Sequence, residues 1–598
     1  MPRRNSRITV LVGSAAILAA ALAASATSLK KIKPGAPSYA AFKKPLSRDE
    51  KIQHALERLT FGPRPGDLEA LKRTGLRQWL DAQLNSERSP ENALLEQHLA
   101  PFNALRMSAD QLAENFAPLR KAAKSGDSDS DDESNGDLSA ILTSAQIDVL
   151  ESGTPVEKRQ LLAAIPAEKR SDFINALRPA QRRRLLPLAP VELRREMMLS
   201  VNPPAVLDMD LSEAKLLRAL YSDHQLQELL VDFWYNHFNV FLDKGADRYL
   251  VSGYERDAIR PYVFGKFYDL LLATAKSPAM LFYLDNWQSV GPNSVAERLR
   301  PNAKKRGLNE NYGRELMELH TLGVDGGYTQ RDVIEVARCF TGWTIAAPKK
   351  GGAFKYNDRM HDKGEKVVLG HLIPAGGGMD DGLEVLNILA TAPATAHHIS
   401  LELAQRFVAD DPPPSLVNRM AATFQKTHGD LRQMMRTMIS SPEFWSQGAY
   451  RAKVKSPFEM VVSALRATNA DVTSAFALVN ELRKLGEPLY GKLEPNGYSS
   501  ANAEWVSSSG LLDRMNFALA LAANRVPGVT VDLSQAHPGE SPTELARSLL
   551  NEDPSEQTEA AIENAVKNQF ANARRGAAPR ESSLIAGLVI GSPEFQRH

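Results

Sequence analysis

The sequence predicts a mainly α fold: a multi-helical globular core carrying one small β-hairpin and an inserted helical arm. Three observations lead there. Apolar residues recur at helical spacing through most of the chain. Only one stretch, near 353–369, alternates like paired strands. Hydrophobic residues make up 43% and charged residues 24% of the 598, a globular balance in a chain too long for one small domain. The formal charge of +1 gives no broad basic surface, so no nucleic-acid partner is expected.

Residues 1–26 read as a signal peptide. Arg3, Arg4 and Arg7 precede an uncharged run from Ile8 to Ala24, and Ala24-Ser25-Ala26 offers a small-x-small cleavage site. The expectation is export to the periplasm or the medium. Arg3-Arg4 suits the twin-arginine route, whereas Asn5 and Ser6 behind it do not, so the Sec route stays open. No later segment is apolar enough to span a bilayer. The lone cysteine, Cys339, falls in a helical apolar pattern with Val336 and Phe340, which predicts a buried packing residue.

Residues 27–122 form an N-terminal helical segment of the core, broken by turn signals at 62–66 and 74–75. The acidic run 123–137 has no apolar residue and reads as a solvated, disordered linker, since its acids lack the glycine and closing glutamate of a calcium loop. Residues 138–200 form the arm. There Pro155, Pro166, Pro179 and Pro190 each open a short Glu-, Arg- and Leu-rich stretch, proline being suited to a first helical position.

The central core, 201–470, holds the candidate site, and 471–598 continue as a C-terminal helical segment. Leu230, Phe233, Trp234, His237, Phe238 and Phe241 share one helical face, with Asp232, Asn236 and Asn239 as a polar stripe beside it. A second helix is expected over about 256–276, leading through Ser277-Pro278 to Asp285-Asn286. A third is expected over 309–322. There Glu315 and Glu318 are neighbours whose mutual repulsion calls for a proton, a cation or Arg314, and Asn311 lies on the same side. Thr329 to Asp332 opens a fourth helix with a capping box, ending in a turn at Thr341-Gly342-Trp343. The hairpin pairs 353–356 with 366–369 and places His361-Asp362 at its turn, where the two could ligate a metal or form an oriented base.

Phosphate-binding glycine loops, H-E-x-x-H, G-x-S-x-G and cysteine zinc patterns do not occur, which sets aside the familiar NTPases, zincins and serine hydrolases. What does occur is an ordered set of motifs: H-A-L-E-R-L-T-F-G-P at 54–63, W-Y-N-H-F at 234–238, S-P-A-M-L-F-Y-L-D-N at 277–286 and N-E-N-Y-G-R-E-L-M-E-L-H-T-L-G at 309–323. Y-T-Q-R-D-V at 328–333, T-G-W at 341–343, H-D-K-G-E-K at 361–366 and K-S-P-F-E at 455–459 follow. Together they resemble the bacterial family catalogued as domain of unknown function 1800, over about 48–597. The resemblance implies an exported, mostly helical protein, encoded beside a second exported family that looks like sulfatases or phosphatases. It carries no activity, and Gly313 replaces the family's usual alanine.

Two functional readings follow. In one, an exported enzyme acts on a polar substrate such as a polysaccharide or ester. His237, Glu315, Glu318, Arg314 and Asp285 would be catalytic, Trp234, Asn236, Asn311 and Trp343 would bind substrate, and His361 with Asp362 would offer ligands for a divalent metal. In the other, the same groups are a buried ionic network in a non-catalytic scaffold that docks a co-exported, sulfatase-like partner.

Overall fold

The computed structural model describes residues 39–119, 138–299, 307–572 and 581–598. The expected signal peptide and the acidic linker lie outside those residues. Helices make up 62% of the described residues, against three two-stranded antiparallel sheets among them. The fold is therefore mainly α. No described helix is long and apolar enough to cross a membrane.

Local chemistry sets the helix ends. Capping boxes close the N-termini at Ser47/Glu50, Thr154/Glu157, Thr329/Asp332 and Ser456/Glu459. In the arm, Pro155 and Pro179 occupy first-turn positions, and Pro190 directly precedes helix α1 (Val191–Leu199). The arm has its own core, which includes Leu150, Leu162, Phe173, Leu185 and Leu193. It is joined to the main body by two arginines of α1. Arg194, with no exposed surface, meets Glu213 at 2.5 Å, and Arg195 meets Asp210 at 2.8 Å. Both acids lie on helix α2 (Pro203–Tyr221).

One large core runs from Leu59 to Phe595 and unites the remaining segments. Helix α3 (Gln225–His237) buries Leu226, Leu230 and Trp234 in it. Helices α4 (Asn311–Glu318) and α5 (Gln330–Cys339) cross closely at Gly313, where a Cβ would stand 3.1 Å from the Ala337 nitrogen. A glycine thus relieves the crossing that an alanine would tighten. Cys339 is buried, as its pattern predicts, and burial pushes its thiol up.

Two expectations need correction. The helix expected over 256–276 is broken: a π-turn at Tyr254–Ile259 and a 3-10 turn at Arg260–Tyr262 precede the true helix, Phe267–Lys276. Pro261 lacks the N–H needed to continue the ladder, and Gly265 follows it. The expected hairpin does not form either. Strand β1 (Trp343–Ile345) pairs with β2 (Phe354–Tyr356), and β3 (Lys366–Val368) pairs with β4 (His371–Ile373). The reason is a tighter turn: Leu369 and Gly370 both take positive φ, 49° and 82°, the conformation of a two-residue hairpin loop. The helix-ending turn falls on Thr341 and Gly342 and is closed by the Trp343 N–H on Phe340 O at 3.2 Å, and Trp343 itself begins strand β1.

Candidate active site

Along α3 the polar stripe and the adjoining edge of the apolar face border a cavity of about 460 Å³. Asp232, Phe233, Asn236 and His237 line it from this helix, and Glu402 and Arg406 line it from helix α6 (Pro393–Phe407). Its floor is the start of helix α7 (Pro457–Ala467), and its outer wall is the segment 487–505.

That wall is held by side chains of the polar stripe on and just beyond α3. Asn236 donates to the Tyr498 carbonyl and accepts from the Tyr498 N–H, each at 2.6 Å. Asn239 donates to the carbonyls of Lys492 (3.0 Å) and Glu494 (2.8 Å). Gly497 has φ +65°, and a Cβ there would overlap Asn236, so the close approach demands glycine. The Tyr283 hydroxyl donates to Leu493 O at 2.6 Å and secures the other edge.

Charge inside the cavity is arranged in pairs. Lys215 meets Asp232 at 2.9 Å, with its ammonium about 5 Å from the Tyr235 and Tyr490 rings (5.1 and 5.0 Å). Burial opposes the lysine's charge, but Asp232 and Glu255 outweigh it and raise its pKa. Arg406 meets Glu459 at 2.5 Å. Burial opposes ionisation of Glu459 too, yet Arg406, His598 and the Ser456 N–H bring that carboxyl to about 2.

Two groups break the pattern of matched charge. His237 Nδ1 meets Glu402 Oε2 at 2.7 Å, and its Nε2 faces the His320 carbonyl at 3.3 Å. Burial alone would raise Glu402, but His237 and then His398 hold it below the usual range. Both ring nitrogens of His237 are thus engaged by acceptors of the protein. Glu487 makes no salt bridge among the described residues, and the nearby cation Arg514 feels its charge only at longer range. Its Oε2 accepts from the Phe458 N–H at 2.7 Å, and burial, reinforced by the charge of Asp232, pushes its carboxyl up to about 8. Asp232 and Glu487 thus form a carboxylate and a carboxylic acid in one cavity.

Residues 54–597 match the family model described as "Protein of unknown function (DUF1800)". The chain belongs to the DUF1800 family. No curated protein and no solved structure matches it.

Two of the DUF1800 motifs build the cavity: W-Y-N-H-F supplies Asn236 and His237, and K-S-P-F-E supplies Ser456 and Glu459. The other sequence-selected residues lie elsewhere. Trp234 and Trp343 have no exposed surface, and the indole N–H of each is unpartnered. Arg314, Glu315 and Glu318 sit on α4 outside the cavity lining. Arg314 reaches Glu310 (3.4 Å) and Gln330 (2.9 Å), and Glu318 accepts from the Tyr328 hydroxyl at 3.1 Å. Burial and then the charge of Glu318 raise Glu315, which is the repulsion the spacing predicts. Asp285, at φ 60°, pairs with Lys244 at 2.9 Å, and exposed Asn311 reaches the Leu284 carbonyl at 3.4 Å.

His361 and Asp362 occupy a closed, buried network rather than a turn at the surface. His361 Nδ1 donates to Thr341 O at 2.8 Å, and its Nε2 meets Asp381 at 3.1 Å, where Lys366 also binds. Against burial, Arg338 at 3.0 Å and the Gly364 N–H hold Asp362 at about 2. Among the described residues, no group of three His, Cys, Asp or Glu side chains is placed to hold a metal ion.

Three cavity groups were not singled out from sequence: Glu402, Glu487 and the aromatic pair Tyr498–Trp505. Available signals were H-H-I-S-L-E at 397–402, which puts His398 and Glu402 one helical turn apart, and the N-G-Y turn at 496–498.

Proposed function

We propose that this DUF1800 protein is an exported enzyme that performs general acid–base chemistry on a polar extracytoplasmic substrate bound in the α3–α6–α7 cavity. One observation carries the reading: a solvent-reachable cavity brings together a carboxylate, Asp232, and an acid that makes no salt bridge among the described residues, Glu487, which retains its proton near neutrality. Enzymes place groups of opposite protonation state side by side in this way, one to give and one to take a proton. Glu487 is the proton donor in this scheme. Asp232, oriented by Lys215, is the base, and His237, with both ring nitrogens engaged, holds Glu402 at the cavity wall.

Export rests on the arginine-led, Ala-rich run of residues 1–26. The test is a screen of the full chain against chromogenic glycosides, esters and amides, followed by Glu487→Gln and Asp232→Asn on whichever class is turned over. Each variant is expected to lose about a hundredfold or more in kcat, the usual size of a general acid–base contribution. Turnover indifferent to both substitutions would overturn the assignment. Fractionation of cells producing the chain with and without residues 1–26 tests export, with retention in the cytoplasm expected only for the truncated form.

A further inference from the structure

The cavity mouth carries two aromatic rings that the core does not need. Tyr498 and Trp505 are half-buried and line the cavity, with ring centroids 6.1 Å apart at 50°. Their polar edges are engaged by the backbone: the Tyr498 hydroxyl donates to Pro488 O at 2.9 Å, and the Trp505 indole donates to Ser499 O at 3.0 Å. The Lys492 ammonium lies over the Tyr498 ring, 5.6 Å from its centroid, so Trp505 is the ring left without a cation among the described residues and suited to a ligand that stacks.

Charge narrows the ligand class. Lys215 is matched by Asp232 and Arg406 by Glu459, while Lys453 pairs with Asp410 and Lys492 with Glu494 at 3.0 Å. Glu487 adds little negative charge below its raised pKa. Glu402 and Glu504 also line the cavity and form no salt bridge to a lysine or arginine among the described residues, so the lining is acidic overall and repels phosphate and other anions. Its free capacity is hydrogen bonding, from carboxylate oxygens, ammonium groups and exposed serines 499 and 500. A neutral ligand rich in hydroxyls, with one flat apolar face, meets all three conditions. Sugar rings have that form: hydroxyls at the edge, and a face of C–H groups whose positive edges suit an aromatic π-cloud.

We infer that the cavity binds a neutral glycan, with a sugar ring stacked on Trp505 beside Tyr498 and the adjoining unit over Asp232 and Glu487. A volume of about 460 Å³ lies in the range of pockets that take ligands of several rings or fewer, so a short segment of chain fits. This inference rests on the cavity being the catalytic site proposed above, and it names the substrate class of that site.

The experiment titrates the full chain with cellotetraose and, separately, with its N-acetylated counterpart chitotetraose, reading intrinsic tryptophan fluorescence and calorimetric heat. Wild type, Trp505→Phe and Trp505→Ala are compared, with thermal melts confirming that each is folded. Saturable binding of either sugar, retained by Trp505→Phe and weakened about tenfold in Trp505→Ala, is the expected result. No saturable binding of either, or binding equal in all three proteins, overturns the glycan assignment. Turnover of a non-sugar ester or amide that depends on Glu487, without sugar binding, likewise overturns it while leaving the catalytic reading standing. Sugar binding without hydrolysis of either tetraose or of the glycosides screened supports the glycan assignment and counts against the catalytic one.

Discussion

Glu487 allows a quantitative test that needs no substrate. Its carboxyl stands at about 8 in the folded protein, against an ordinary 4.5. Between those values the native chain holds a proton that the unfolded chain has released. Stability must then fall as pH rises through this window, because unfolding releases that proton and rising pH favours release. One pH unit corresponds to roughly 1.4 kcal/mol for one proton, so the full window sets a ceiling of roughly 5 kcal/mol. Glu487→Gln keeps the volume and leaves an oxygen to accept from the Phe458 N–H, but it cannot titrate. The measurement is urea unfolding of both proteins at intervals from pH 5 to pH 9, taking the difference between them so that other titrating groups cancel. The variant is expected to gain on the wild type by up to about 1.4 kcal/mol per unit until pH 8, and then to level off. Asp232→Asn should shrink that gain, since the Asp232 charge is the chief electrostatic contribution after burial. Parallel curves for wild type and Glu487→Gln would refute the protonated-acid assignment.

Three other substitutions test the framework around the site. Arg194→Met leaves Glu213 buried without its cation, which should cost about 3–5 kcal/mol and expose the 138–200 arm to protease before the rest of the chain. Gly497→Ala forces a Cβ onto Asn236 at positive φ, at a cost of about 1–3 kcal/mol, and should loosen the 487–505 wall, seen as altered Trp505 fluorescence. Glu315→Gln removes a carboxyl raised by burial and by Glu318, whose ionised form the fold disfavours; it should raise the melting temperature at neutral pH, with the difference disappearing as the solution is acidified.

Much of the architecture was legible because it follows from local rules. Helical periodicity, prolines at first-turn positions and capping boxes each act within about one turn of chain, and the arm's proline-spaced helices and the capped α5 reflect this directly. The strands near 343–373 were misread for a related reason. Alternation marks a strand but not its partner, and partner choice fell to Leu369-Gly370, a turn whose first residue is not one of the usual turn formers. The break at Pro261 was visible in the sequence, and the apolar spacing on either side of it masked the signal.

The site was less legible, and the reason is physical. Dense ionisable motifs such as 361–366 attract attention, yet density is what a satisfied network needs: Asp362 pairs with Arg338 and Lys366 with Asp381, whereas in 309–323 Glu315 and Glu318 form no salt bridge among the described residues and repel each other away from the cavity. A group available for chemistry differs by lacking such a partner, and lack of a partner is a property of three-dimensional neighbours. Glu487 sits in E-P-L-Y, an unremarkable stretch, and becomes distinctive only because Phe458 and Asp232, from α7 and α3, come to it while no cation among the described residues forms a salt bridge with it. His237 was found from sequence because its apolar helical face made it anomalous, while Glu402, its acceptor 165 residues later, had no local signal tying the two together. For a DUF1800 chain, then, the sequence motifs are better guides to where the fold is fastened than to where it acts. The residues that depart from charge matching inside the cavity, Glu487 first among them, are the ones on which function should be tested.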